Sequence, residues 1–204
     1  MSKHFELTGE TTLWEGRTLH RIRATRDIAS NWVKAGDLGG WVENPNNLYD
    51  EAWVADEAKL CDDASMRGQS HMSDNARMFG NARMSGNASI SGHSHLLDDA
   101  VMSGISYTSG ESFISCNGEV TSPIHILSGT IHTSHRMYWT LHRTCDGGHV
   151  LHIGCESGTL DHHQALCDSD TWIDTTDPAT IAAARPEYQG IIDACRGRVA
   201  RWTN

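Results

Sequence analysis

Positive charge is scarce in this chain. Its 16 basic side chains stand against 26 acidic ones, a net charge of -10 over 204 residues. So negative a surface repels a phosphate backbone, which excludes nucleic acid as a direct ligand. Basic residues do not alternate with aromatics as on a single-strand platform, and no glycine-rich phosphate loop leads into a helix. Long apolar runs and lipidation signals are lacking too, so no membrane association is expected. The six cysteines are irregularly spaced, with none two residues from another. That spacing matches no standard zinc finger. With no secretory leader either, a soluble protein of a reducing cytoplasm is expected.

What the chain does have is a period of six. A bulky residue recurs at Leu48, Val54, Leu60, Met66, Met72, Met78, Met84, Ile90, Leu96, Met102, Thr108, Ile114, Val120 and Ile126, and only Thr108 is not apolar. Four residues after each of the first twelve slots stands a small one, from Ala52 through Ser70 and Ala88 to Gly118. Within a unit such as Asn81-Ala82-Arg83-Met84-Ser85-Gly86, alternation points Ala82 and Met84 inward and Arg83 and Ser85 outward. Glycine or aspartate then fills a corner, at Asp56, Asp62, Gly68, Asp74, Gly80, Gly86, Gly92, Asp98, Gly104 and Gly110, where turn geometry suits both. Six is not a helical period, and glycine every turn costs about 1 kcal/mol per residue in a helix. The pattern predicts a mainly β protein, a parallel β-helix over 48–130. Its methionines read as core filling rather than as metal ligands.

The flanks do not share the period. Residues 1–47 are expected to form an N-terminal cap, with short strands at Phe5-Glu6-Leu7 and Leu19-His20-Arg21-Ile22-Arg23 around a turn near Glu15-Gly16. Trp14 and Trp41 are the candidates for plugging the end of the coil; a carbohydrate or ligand platform is the alternative reading of these tryptophans. Residues 131–204 read as a small α+β region. Strands are expected at Met137–Leu141 and Val150–Ile153, joined through Asp146-Gly147-Gly148, then a helix opening at Pro178 and a second one carrying Tyr188, Ile191, Ile192, Cys195, Val199 and Trp202 on one face. This region would cap the coil or join copies of the chain into a homodimer or trimer.

The unit resembles the hexapeptide repeat of left-handed parallel β-helices, in which three units close one triangular coil. With the Gly16-Arg-Thr-Leu-His-Arg-Ile-Arg23 run and the Lys34-Ala-Gly-Asp-Leu-Gly-Gly-Trp-Val42 lead-in, the chain resembles a family of short phage and prophage proteins often labelled putative transferases. The resemblance implies left-handed coils, residues eighteen apart in one ladder, and the cytoplasm of a bacterial host.

On that geometry Asp50-Glu51, Asp56-Glu57 and Asp62-Asp63 fall on three successive corners, with Asp98-Asp99 two coils beyond Asp62-Asp63. The repeats hold most of the charge excess, four basic against eleven acidic residues over 48–130. These eight carboxylates are the candidate surface for a basic partner. Corner charges that merely keep strands soluble are the plainer reading.

Three functions follow. The first is a non-enzymatic phage protein that blocks or sequesters a host protein, such as a nucleic-acid-handling defence complex of the CRISPR type. The second, implied by the resemblance to hexapeptide-repeat enzymes, is a trimeric acyltransferase using a coenzyme A thioester, with His95 or His125 as its base and Asp98 or Asp99 to orient it; the repeats lack the loop insertion such enzymes use to build a pocket. The third is a structural module that polymerises. No catalytic residue, cofactor or metal is assigned. The His- and Cys-rich stretch 132–167 offers one alternative, a zinc site of Cys145, His149 and Cys155 with Cys167 or His163.

Overall fold

The computed structural model describes residues 3–132, 136–170, 172 and 177–202. The chain divides into two compact units, Met1–Pro123 and Ile124–Asn204.

The first unit opens with antiparallel strands β1 (Phe5–Trp14) and β2 (Arg17–Ala24), turning at Glu15-Gly16, and continues into β3 (Leu38–Val42), antiparallel to β2. Two-residue rungs follow every six residues: β4 (Trp53–Val54), β5 (Lys59–Leu60), β6 (Ser65–Met66), β7 (His71–Met72), β8 (Arg77–Met78), β9 (Arg83–Met84), β10 (Ser89–Ile90), β11 (His95–Leu96), β12 (Val101–Met102), β13 (Tyr107–Thr108), β14 (Phe113–Ile114) and β15 (Glu119–Val120). They stack in parallel into three sheets, ordered β3-β5-β8-β11-β14, β4-β7-β10-β13 and β6-β9-β12-β15. Trp53 pairs with His71, His71 with Ser89 and Ser89 with Tyr107. The protein is therefore a β-solenoid with eighteen residues per coil. The cap belongs to the same unit, because β3 pairs in parallel with β5 and extends its sheet.

The interior is the one the period predicts. Val54, Leu60, Met66, Met72, Met78, Ile90, Leu96, Met102, Ile114 and Val120 are fully enclosed, and Thr108 is buried at the slot where apolarity lapses. Ala58, Ala64, Ala76, Ala82, Ala88 and Ala100 fill the narrow angles beside them. The end of the coil is closed differently from expectation. Trp41 is buried on the outer face with Leu19 and Cys61, while Trp14 packs edge-on against Phe79. The side chains of Trp53 and Ile22 instead converge on the space where a Gly39 side chain would project. At the adjacent Gly40, a Cβ would stand 2.7 Å from the Ala58 carbonyl oxygen. Two glycines in β3 thus let the cap backbone lie directly on the first coil.

The corners turn through left-handed residues, which glycine adopts freely and aspartate tolerates. Asp50, Asp56, Asp62, Asp74 and Asp98 have φ between 53° and 57°. Each of these carboxylates accepts the backbone N–H of the corner one coil further on: Gly68, Asp74, Gly80, Gly92 and Cys116, at 2.9–3.1 Å. Gly92 shows why a side chain is not always possible, since its Cβ would lie 2.7 Å from the Gly110 backbone. An Asp74→Ala variant is expected to lose about 1–2 kcal/mol, from the missing N–H acceptor and the left-handed strain on alanine. Asp74→Asn keeps both features and is expected to stay close to the parent in urea unfolding. Equal midpoints for the two variants would refute this role.

Ile126, by period the last interior slot, instead opens β16 (Ile126–His132), a seven-residue antiparallel strand. The units therefore divide at 123/124 and not at 130/131. The second unit continues with β17 (Arg136–Arg143), β18 (His149–Ile153) and β19 (Glu156–Gly158), in a sheet ordered β16-β17-β18-β19. The hairpin through Asp146-Gly147-Gly148 is present. Helix α1 (Leu160–Asp168) starts where the Thr159 side chain accepts the His162 N–H. Helix α2 (Pro178–Val199) starts at an Asp177 cap. The two helices expected after Pro178 are one, which accommodates Pro186 inside it. Tyr188, Ile191, Ile192 and Cys195 of α2 bury against Ile131, Leu141, Leu151 and Ile153 of the sheet.

Candidate binding surface

The acidic corners are not a uniform negative collar, because cap arginines reach into them. Arg17 clasps Asp62 with two bonds of 2.8 and 3.1 Å. Arg21 bonds Glu57 at 2.8 Å, and the Trp41 indole N–H donates to the other Glu57 oxygen at 2.9 Å. Arg26 and the Ser30 hydroxyl reach Glu51 at 3.3 and 3.1 Å. The charges register these contacts. Arg21 and then Trp41 hold the Glu57 carboxyl below the usual range. Partial burial pushes Asp62 up, but the Arg17 guanidinium and the Gly80 N–H outweigh it and leave Asp62 lowered.

Of the eight carboxylates singled out from the sequence, Asp50, Asp56, Asp62 and Asp98 brace corner backbone, and Glu51, Glu57 and again Asp62 hold the cap. Asp63 and Asp99 differ. Both are exposed on the same corner, two coils apart, with Asn81 between them and Asn117 one coil beyond. The Asn81 amide N–H donates to Asp99 at 3.1 Å. The row alternates carboxylate and amide, which separates its like charges by two rungs, roughly 10 Å.

His95 sits on β11 between Phe79 and Phe113, with ring centroids 6.4 and 5.8 Å away, and burial lowers its pKa. The carboxylates that could orient it are engaged elsewhere, Asp98 with the Cys116 N–H and Asp99 with Asn81. His125, in the second unit, lies edge-on to Trp202. These two histidines belong to different compact units.

The zinc alternative finds no convergence, for no group of three or more His, Cys, Asp or Glu side chains gathers in metal-binding fashion among the described residues. Cys145 and Cys155 are exposed. Cys167 is buried against α2, 3.6 Å from the Gln189 side-chain oxygen. His149 uses its Nε2 to accept the Leu160 N–H at 3.0 Å, and His163 is enclosed elsewhere. His135 lies outside the described residues, as does the His132 side chain.

Sequence reading missed what the tail histidines do. His142 donates Nδ1–H to the Arg143 carbonyl oxygen at 3.2 Å, so its Nε2 is the acceptor for His152 Nε2–H at 3.1 Å. The two rings stack with centroids 5.2 Å apart. His163 donates to the Leu151 carbonyl oxygen and accepts from the Tyr188 hydroxyl, both at 2.7 Å. The alternation of His142 and His152 with buried apolar residues was the available signal.

The fold defines a β-solenoid protein with an antiparallel cap and a separate α+β unit. No helix among the described residues is long and apolar enough to cross a membrane. No protein-family model matches the chain, and no curated protein matches it.

Proposed function

We propose that this chain is a non-enzymatic binding protein of phage origin that blocks a bacterial host protein, in the manner of an anti-defence inhibitor directed at a nucleic-acid-handling complex of the CRISPR type. One observation carries the binding reading: the exposed row Asp63, Asn81, Asp99, Asn117, borne on rungs that run from Trp53 to Val120 without an inserted loop. Side chains fixed at rung spacing lose little freedom on meeting a partner. Negative charge on a stiff edge steers and orients a basic surface, such as one that otherwise holds nucleic acid. The phage origin rests on the resemblance of the repeats and lead-in, and the blocking of a host protein rests on the acidic charge of the repeats.

Affinity capture from a bacterial host lysate tests the reading. The parent chain is expected to retain a basic host protein, less so as salt rises. The double variant Asp63→Lys/Asp99→Lys is expected to weaken retention about tenfold or more. Among the described residues Asp63 braces no corner N–H and Asp99 only an exposed amide, so folding should survive. Undiminished capture by the double variant rules out this edge.

A further inference from the structure

We infer that the outer face of the β4-β7-β10-β13 sheet, beneath Trp32, is a binding site for a neutral oligosaccharide. The inference is independent of the acidic edge and of the protein partner proposed for it.

Trp32 is held out on purpose-built backbone. Ile28 and Val33 pair across a tight loop and are both buried, while the Asn31 amide N–H donates to the Glu51 carbonyl oxygen at 2.7 Å. Between these anchors Trp32 takes a left-handed conformation, φ 58°, and is 92% exposed. A bulky residue rarely adopts that conformation, and an indole in water forfeits its burial energy. Strain combined with exposure at one aromatic points to a ligand-facing role.

The groove beneath it, about 400 Å³, is lined by Gln69, His71, Asn87 and Ser89 from two successive coils. Among the described residues no Lys, Arg, Asp or Glu lines it, and without a cation it disfavours phosphate-bearing ligands and acidic peptides. Burial lowers the His71 pKa and keeps that ring neutral, and its Nδ1 is buried with no hydrogen-bond partner among the described residues. Amide, hydroxyl and neutral imidazole groups both donate and accept. They suit a ligand whose hydroxyls do the same and whose opposite face is C–H, to lie flat on an indole. That is the chemistry of a pyranose.

The face continues in the right direction for a chain of sugars. One coil beyond Asn87 and Ser89, a step of about 4.8 Å, stand Ile105 and Tyr107, 70% and 61% exposed. Trp32 and Tyr107 therefore place aromatic surfaces at the two ends of a polar strip. The pattern resembles a lectin groove more than a protein interface, whose centre is dry and apolar.

Titration calorimetry of the whole chain with chitotetraose, cellotetraose and maltotetraose tests the site. At least one is expected to bind saturably, with an affinity that does not change with salt. Trp32→Ala and, separately, Asn87→Ala should weaken it about tenfold or more, while Asp63→Lys/Asp99→Lys leaves it unchanged. Trp32 is exposed, so its variant should keep the parent melting temperature. Binding of none of the three, or equal binding by Trp32→Ala, overturns the inference. So does a self-association, abolished by Trp32→Ala, that occupies the face without sugar.

Discussion

Replacing Met84 by alanine is expected to cost about 2–5 kcal/mol and to lower the unfolding midpoint of the solenoid by about 10 °C. Met84 is 1% exposed and its ladder runs from Met66 through Met84 to Met102 and Val120. The coil is too narrow for the neighbours to collapse fully into the space, since the alanines beside the slot have no reach. Much of the lost volume therefore persists as a cavity. Repeat proteins transmit such a loss, because each coil is stabilised only by the coils above and below it. Met84→Leu preserves most of the volume and should cost less than about 1.5 kcal/mol. Arg83→Ala, one residue away on the outward side, should stay within about 0.5 kcal/mol. Thermal unfolding followed by circular dichroism distinguishes the three. Similar midpoints for Met84→Ala and Arg83→Ala would contradict the interior assignment.

The interior was legible in the sequence because rung side chains alternate in and out and the period keeps every inward residue on one register. Eleven slots from Val54 to Ile114 need only that rule, and even Thr108 obeys it. The corners were legible as turns but not as braces. Asp74 reaches the Gly92 N–H only because consecutive coils are one strand spacing apart, a long-range distance that no local spacing encodes. For the same reason the carboxylates looked like free charge. Arg17, Arg21 and Arg26 stand 45, 36 and 25 residues from their partners, so the apparent collar was partly neutralised by a segment with no repeat of its own. The period itself misled at Ile126, where an apolar residue in register belongs to a different sheet. Helix α1 was missed because its nine residues give little periodicity and its start is marked by a single capping threonine. Trp32 was passed over in favour of Trp14 and Trp41, since the buried anchors Ile28 and Val33 that hold it outward become visible only once they pair.

Stability of the second unit is expected to fall by about 2 kcal/mol or more between pH 7 and pH 5, and the cause lies in the His142–His152 pair. Burial pushes His142 down to about 4. Burial, followed by repulsion from His142 and His163, does the same for His152, also to about 4. In the unfolded chain both return to about 6.5. Between those values the unfolded state binds more protons than the native one, so stability is complete above about pH 6.5 and declines as pH falls toward 4. A proton on His142 Nε2 would face the His152 Nε2–H, turning the one bond between the rings into a clash of donors. The Arg143 carbonyl oxygen already accepts from His142, the Tyr188 hydroxyl is committed to His163, and burial lowers the His163 pKa as well. Asp146 and Asp177 of the second unit are lowered by their hydrogen-bond partners, away from the range between pH 5 and pH 7, which leaves that range to histidine. Urea unfolding at pH 7 and pH 5 measures the loss directly, and a His152→Phe variant, which removes the donor to His142 and one buried titrating ring, should flatten the slope even if it lowers stability at both pH values. Equal stability of the parent at the two pH values would mean that the pair is not held neutral by burial.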